Sequence, residues 1–169
     1  MHKLTIDGQV NSSTLLVGEC LQNAGRYIDA QDVVVITDTV VGQLYHDQFP
    51  AGEVITIGSG EAVKNLDTVH DIYRRLISLQ ADRSTFVVGI GGGVVCDISG
   101  FVASTYMRGL SFAYVPTTLL AQVDASVGGK NGVNLEGYKN LVGVFNQPEF
   151  VLCDTSLLET LPPREVLCG

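Results

Sequence analysis

Positive charge is scarce: 10 Lys and Arg stand against 18 Asp and Glu, a formal net charge of −8. That balance excludes an extended surface for phosphate backbones, and so nucleic acid as the partner, while leaving room for one local basic pocket. Cysteine is equally sparse. Cys20, Cys96, Cys153 and Cys168 stand far apart, with no C-x-x-C pair and no Cys/His group at zinc-site spacing. His2, His46 and His70 do not converge either, so no residue is assigned to a metal. Cys96 and Cys153 lie in apolar surroundings and read as buried thiols of a reducing compartment. No apolar run approaches the roughly 20 residues that span a bilayer, and the opening MHKLTIDG has neither the apolar core nor the cleavage-like site of a signal peptide. Together these absences predict a cytoplasmic protein with no membrane partner.

What the chain does have is glycine in one place. Phe86, Val87, Val88 and Ile90 read as a strand buried on both faces. Gly91, Gly92 and Gly93 then turn the chain, and Val95, Ile98, Phe101, Val102 and Thr105 recur at helical spacing. A helix that starts on glycines offers free N–H groups and a positive dipole end to a phosphate oxygen. Close packing of helix on strand is the other use of such a turn.

The remaining elements alternate. Residues 3–7 and 14–18 are short strands able to pair antiparallel across polar turn residues, and Glu19 to Tyr27 reads as a helix. Asp32 to Thr37 is a buried strand with Asp38 at its carboxyl end, where an acid either accepts hydrogen bonds from a ribose or caps the helix Thr39 to Tyr45. A strand over Glu53 to Ile57 leads to an amphipathic helix from Ala62 to about Leu79. Glu61 and Lys64, at its start, have the spacing of a surface ion pair. Phe112 to Val115 is a strand halted by Pro116; Thr117 and Thr118 follow, then a helical turn or two carrying Asp124. Residues 126–148, rich in Gly and Asn, predict a binding loop. A last strand, Phe150 to Cys153, precedes a brief helix at Leu157 to Leu161, and Arg164 to Gly169 reads as the opening of another. The pattern predicts one α/β domain with a Rossmann-like, mostly parallel, doubly wound sheet and a short antiparallel N-terminal edge. G-x-G-G-G-V after a later strand is not the dinucleotide fingerprint that follows a first strand.

Acids and bases gather where these strands end: Asp38, Asp97 and Asp124 against Arg108, Lys130 and Lys139. Asp97 reads as an acceptor for a sugar hydroxyl, a ligand N–H or loop amides. Lys130, Lys139 and Asn140 supply donors for a second anion, unless the lysines only keep an exposed loop in solution. Two anion sites with acids between them suit a dinucleotide beside a small phosphorylated polyol.

The stretches GGGVVCDISGFVASTYMRG, VPTTLLAQVDASVGGKNGVN and YKNLVGVFNQP resemble the 3-dehydroquinate synthase family and its sugar-phosphate cyclase relatives, and the likeness runs from ITD at 36–38 to DTSLLETLPPRE at 154–165. The resemblance implies residues 1–163 as an NAD-binding domain, with 164–169 starting a helix that leads into a C-terminal helical domain. That second domain would bring the ligands of a divalent metal, zinc or cobalt, none of which lies in residues 1–169. It implies a homodimer acting on a sugar phosphate: 3-deoxy-D-arabino-heptulosonate 7-phosphate becomes 3-dehydroquinate and phosphate, on the shikimate route to chorismate and aromatic amino acids. A ketone formed at C5 acidifies the adjacent C–H, phosphate leaves, and the hydride returns, so NAD is regenerated. Residues 1–169 alone are then expected to lack turnover. By motif, Asp38, Glu61 and Lys64 hold the adenosine end of NAD and Gly92, Gly93 and Val94 its pyrophosphate. Asp97, Thr117, Thr118 and Lys139 complete the cofactor contacts, with Thr160 and Leu161 nearby. Asp124 touches both nicotinamide ribose and substrate, Lys130 and Asn140 hold the substrate phosphate, and Arg108 reaches the phosphate of the neighbouring subunit. Val40 and Asn131 depart from the family pattern, which favours Asn and Thr there. A different cyclase, or a non-catalytic NAD-binding domain, are the competing readings.

Overall fold

β-branched runs too short for helices build the centre of the protein. The computed structural model describes residues 1–7 and 12–169. Strands β1 (His2–Asp7) and β2 (Ser12–Val17) pair antiparallel, His2 opposite Val17; the polar turn expected between them falls mostly on residues 8–11, outside the described residues. Then come β3 (Val33–Asp38), α1 (Thr39–Tyr45), β4 (Glu53–Ile57), α2 (Leu66–Ser78), β5 (Phe86–Gly91), α3 (Gly93–Thr105) and β6 (Phe112–Pro116). The chain continues through β7 (Lys130–Leu135), β8 (Tyr138–Phe145), β9 (Phe150–Cys153) and α4 (Pro163–Cys168). The main sheet runs β1-β2-β9-β6-β5-β3-β4, parallel everywhere except β1. The expected α/β fold with its antiparallel edge is therefore present.

Alternation along β3 divides the core. Val34 and Ile36 join Val69, Ile72 and Leu76 of α2 and the apolar side chains of α3 on one face. Val33 and Val35 join Val41 of α1 and Leu157 on the other. Helix α3 is buried nearly all round, from Val95 to Ala103, because it lies between the sheet and the β7–β8 hairpin, and a helix covered on both sides needs no polar stripe.

The hairpin corrects the loop expected at 126–148. Glu136 and Gly137, with φ of 49° and 84°, form a two-residue turn of the kind that closes hairpins, with Leu135 opposite Tyr138. Val133 is buried, and Val142 and Val144 pack against the α3 side of the core. Other boundaries move for local reasons. The helix expected from Glu19 is a 3-10 helix over Leu21–Tyr27, whose first N–H is taken by the Asp154 carboxylate at 2.8 Å. Asn65 accepts from Thr68 N–H at 2.9 Å and so starts α2 at Leu66, leaving Glu61–Val63 as a separate 3-10 turn. The brief helix near Leu157 is a 3-10 helix over Thr155–Thr160, capped by Asp154.

All four cysteines are free thiols, Cys96 and Cys153 buried, Cys20 and Cys168 exposed. Burial pushes the Cys96 thiol far up and that of Cys153 to about 11, so neither forms thiolate at neutral pH. A thiol reagent at neutral pH is expected to titrate Cys20 and Cys168 in the native protein and all four cysteines after denaturation. Native labelling of Cys96 as fast as Cys20 would contradict this packing.

Candidate functional site

The order in which strands are added reverses between the parallel neighbours β3 and β5: β4 follows β3 on one side, β6 follows β5 on the other. Crevices in open α/β sheets form at such a switch point, beyond the carboxyl ends of the strands. Here a cleft of about 760 Å³ is lined by Asp38, Gly58 to Glu61, Gly92 to Val95, Thr117, Thr118 and the segment around Leu161. Its floor is the start of α3. The first intrahelical bond there runs from Cys96 N–H to Gly92 O at 3.1 Å, so the N–H groups of Gly93, Val94 and Val95 face outward from the positive end of a 13-residue helix. A Cβ on Gly92 would stand 3.1 Å from Thr118 Cγ2, and one on Gly93 3.3 Å from Ala125 Cβ. Hydrogen in their place keeps open the gap through which an oxygen can reach those amides. The space and the donors fit a diphosphate.

Asp38 takes the cap role: its Oδ1 accepts from Val40 N–H at 2.8 Å, Val41 N–H at 3.0 Å and Ser59 Oγ–H at 3.2 Å. All three bonds fall on one oxygen, and Asp38 also lines the cleft, so the cap and a ribose contact are compatible.

Lys64 does not pair with Glu61. Its side chain, 6% exposed, reaches Asp97, 19% exposed, and also donates to Asn140 Oδ1 at 2.5 Å. Glu61 instead accepts from Asn134 Nδ2 at 2.8 Å and lies 4.0 Å from the Lys139 ammonium. Burial holds the Asp97 carboxyl above the usual carboxylate range; the Lys64 ammonium opposes that rise, while the charges of Glu61 and Asp124 add to it. Asp97 also lines a second cleft of about 460 Å³, with Asp124, Lys130, Asn131, Gly132, Asn140 and the outer strand of the hairpin. The two clefts thus share a carboxylate. In a chain of net charge −8, three of the four lysines, Lys64, Lys130 and Lys139, lie on or beside this pair of clefts.

Thr160 and Leu161 line the first cleft, and Thr160 is bonded to Tyr45 at 2.6 Å. Lys139 stands on the hairpin, 76% exposed, outside the lining of both clefts. Arg108 is remote from both: α3 carries the chain about 20 Å away from Gly92 at ~1.5 Å per residue, and Arg108 follows its end, exposed, in a turn where Met107 and Arg108 both have positive φ. Asn134 was not singled out by any pattern. It donates to Glu61, accepts from Asn140 N–H at 2.9 Å and donates its own N–H to Lys64 O at 2.9 Å, stitching the hairpin to the turn that carries Lys64. Among the described residues no group of three or more His, Cys, Asp or Glu side chains is placed to hold a metal ion, and no helix is long and apolar enough to cross a membrane.

Comparison with known proteins gives the family. Residues 54–168 match the family 3-dehydroquinate synthase N-terminal. The chain is 49% identical over 152 residues to a 3-dehydroquinate synthase of Latilactobacillus sakei, covering 85% of this chain and 43% of that one. It is 45% identical to one of Alkaliphilus metalliredigens, covering 100% of this chain and 50% of that one. It therefore spans about half the length of the curated relatives it matches. A crystal structure of 2-deoxy-scyllo-inosose synthase complexed with carbaglucose-6-phosphate, NAD+ and Co2+ superposes with a TM-score of 0.85 at 31% identity, over 99% of this chain and 49% of that one. With a family match across most of its length and relatives near half identity, the chain belongs to the 3-dehydroquinate synthase family.

Proposed function

We propose that this chain is the NAD-binding part of a 3-dehydroquinate synthase, converting 3-deoxy-D-arabino-heptulosonate 7-phosphate to 3-dehydroquinate and phosphate on the shikimate route. The observation that carries the reading is the pair of clefts meeting at Asp97, one floored by a glycine-started helix and the other holding Lys130 and Asn140. When bound, NAD supplies a reversible hydride acceptor. The α3 amides hold its diphosphate, and Asp38 and Glu61 stand at the adenosine side. Thr117 and Thr118 form the wall opposite Gly92. Lys64, pinned between Asp97 and Asn140, fixes the partition between dinucleotide and substrate. Asp124 orients a substrate hydroxyl and the adjacent ribose, while Lys130 and Asn140 grip the phosphate and keep the leaving group's charge neutralised as it departs.

Exposed apolar side chains line the clefts: Val40, Leu44 and Leu120 in the first, Leu141 and Phe145 in the second. That surface supports a further domain closing over the site, with any divalent-metal ligands lying outside residues 1–169, and residues 1–169 alone are expected to bind without turnover. The exposed, strained Arg108 turn supports a homodimer in which this residue reaches its neighbour's site.

In the full-length enzyme, Lys130→Ala is expected to lower kcat/KM for the sugar phosphate by about 10–100-fold, the loss of one charge-assisted contact of roughly 1.5–3 kcal/mol, with NAD affinity unchanged. Equal losses for both ligands would reject the phosphate assignment. The likeness to 2-deoxy-scyllo-inosose synthase favours a second substrate class, a hexose phosphate. Turnover assays with each sugar phosphate separate the two, and a full-length protein that uses neither refutes both.

A further inference from the structure

We propose that Gln122 is a positioning residue: its buried amide locks the turn that presents Asp124, by spanning a gap between the diverging ends of β6 and β9. The proposal rests on the reading above only in giving Asp124 a ligand to meet.

The two strands pair at Ala113 with Phe150 and at Tyr114 with Val151, yet β6 continues to Pro116 and β9 to Cys153. Past the paired residues the strand ends separate, and the Gln122 side chain enters between them. Its Nε2 donates to Pro116 O at 3.1 Å and to Asp154 O at 2.9 Å. Both amide protons are thereby spent on carbonyls just where the ladder has ended. Gln122 is 9% exposed, its own carbonyl oxygen lies 3.9 Å from Cys153 Sγ, and its backbone N–H donates to Thr118 O at 3.0 Å. Buried carbonyls left without donors are costly, so this amide holds the segment to the sheet.

That segment, Ala121–Ala125, is a single π-helical turn, a rare geometry concentrated at functional sites. Ser126 N–H closes it on Ala121 O at 3.1 Å, and Val127 N–H bonds Asp124 O at 3.0 Å. Gln122 is buried on the sheet side, whereas Asp124, two residues on, is exposed and lines the second cleft. Thr118, whose hydroxyl accepts from Ala121 N–H at 3.2 Å, lines the dinucleotide cleft. The turn therefore links the wall of one cleft to the carboxylate of the other, and the Gln122 amide is its attachment to the core.

The test is made in the full-length enzyme. Gln122→Met keeps the bulk and removes both donors; kcat is expected to fall about 10²-fold, the scale of an ångström's misplacement, while NAD affinity falls far less, its diphosphate being held at the glycine turn. In an Asp124→Asn background the same substitution should lower kcat far less, because Gln122 acts through Asp124. Losses that multiply independently overturn the proposal. Should Gln122→Met fail to fold, Gln122→Glu takes its place. A carboxylate repels the two carbonyls, while its protonated form donates to one, so kcat relative to wild type should recover as pH falls; a ratio flat with pH overturns the proposal. Hydrogen exchange needs no turnover. The amides of Ser126 and Val127 should exchange faster in the variant while those of β3 and β5 do not, and unchanged protection at Ser126 and Val127 counts against it. A wild-type enzyme inactive on every sugar phosphate refutes the function proposed above, and hydrogen exchange then decides the role of Gln122.

Discussion

Replacing Lys64 with Met is expected to destabilise the protein by about 3 kcal/mol at neutral pH, the lower end of the range for leaving one member of a buried ion pair alone. The lower end applies because Asp97 keeps 19% of its side chain exposed and can draw some water. Two groups lose their donor at once, the Asp97 carboxylate and Asn140 Oδ1, and Asn140 belongs to the hairpin that covers α3. Adding Asp97→Asn should restore much of the loss, since a neutral amide has no charge to leave unpaired. The pH dependence has a definite sign. Burial already raises the Asp97 carboxyl, and without Lys64 it rises further. The native variant then binds a proton more tightly than the unfolded chain does. Its deficit against wild type is smallest in acid, where the carboxyl is protonated in both proteins, and grows as pH rises from the wild-type Asp97 value, already raised, through the higher one of the variant. Denaturant midpoints at pH 5 and pH 8 test this; a Lys64→Met midpoint equal to wild type at pH 8 would show that the pair carries no stability.

Gly92→Val should do the reverse, sparing the fold while weakening the proposed NAD binding. Gly92 has φ −73° and ψ −174°, a conformation open to any β-branched residue, so the backbone is not strained. Its Cβ would nonetheless stand 3.1 Å from Thr118 Cγ2, and the methyls beyond it would close the passage to the Gly93 and Val94 amides. Losing two hydrogen bonds to a charged group, roughly 1.5–3 kcal/mol each, predicts NAD affinity weakened by about 10²-fold or more. Calorimetric titration with NAD, beside a thermal melt, separates the outcomes. Tight binding by a folded Gly92→Val protein would place the diphosphate elsewhere.

Both predictions turn on the same contrast between local and distant information. The glycine turn was legible because everything it needs is contiguous: an apolar strand, residues without side chains, a helical repeat. The buried strands were legible for the same reason, since parallel sheets covered on both faces demand runs such as DVVVIT and TFVVGI. Of the acids and bases expected together, Asp38, Asp97, Asp124 and Lys130 line the clefts, because open sheets leave their crevices at the strand ends, whereas Lys139 stands beside them and Arg108 is carried away by α3.

Their partners were another matter. Helical spacing brought Glu61 and Lys64 together on paper, but Asn65 caps α2 after them, and Lys64 turns inward to an aspartate 33 residues away. The Gly- and Asn-rich stretch after Ser126 carries the composition of a loop, yet it folds as a hairpin because α3 offers an apolar face to Val133, Val142 and Val144. Gln122 gave no signal at all, its role existing only where two strands part. Local sequence, then, decided which segments are strands, where the sheet can admit a phosphate and which residue types collect there, because those follow from backbone geometry and burial over a few residues. Which charge meets which, and what holds Asp124 in place, were decided by packing alone, because a buried ion pair or a gap between strands comes into being only when remote segments exclude water together.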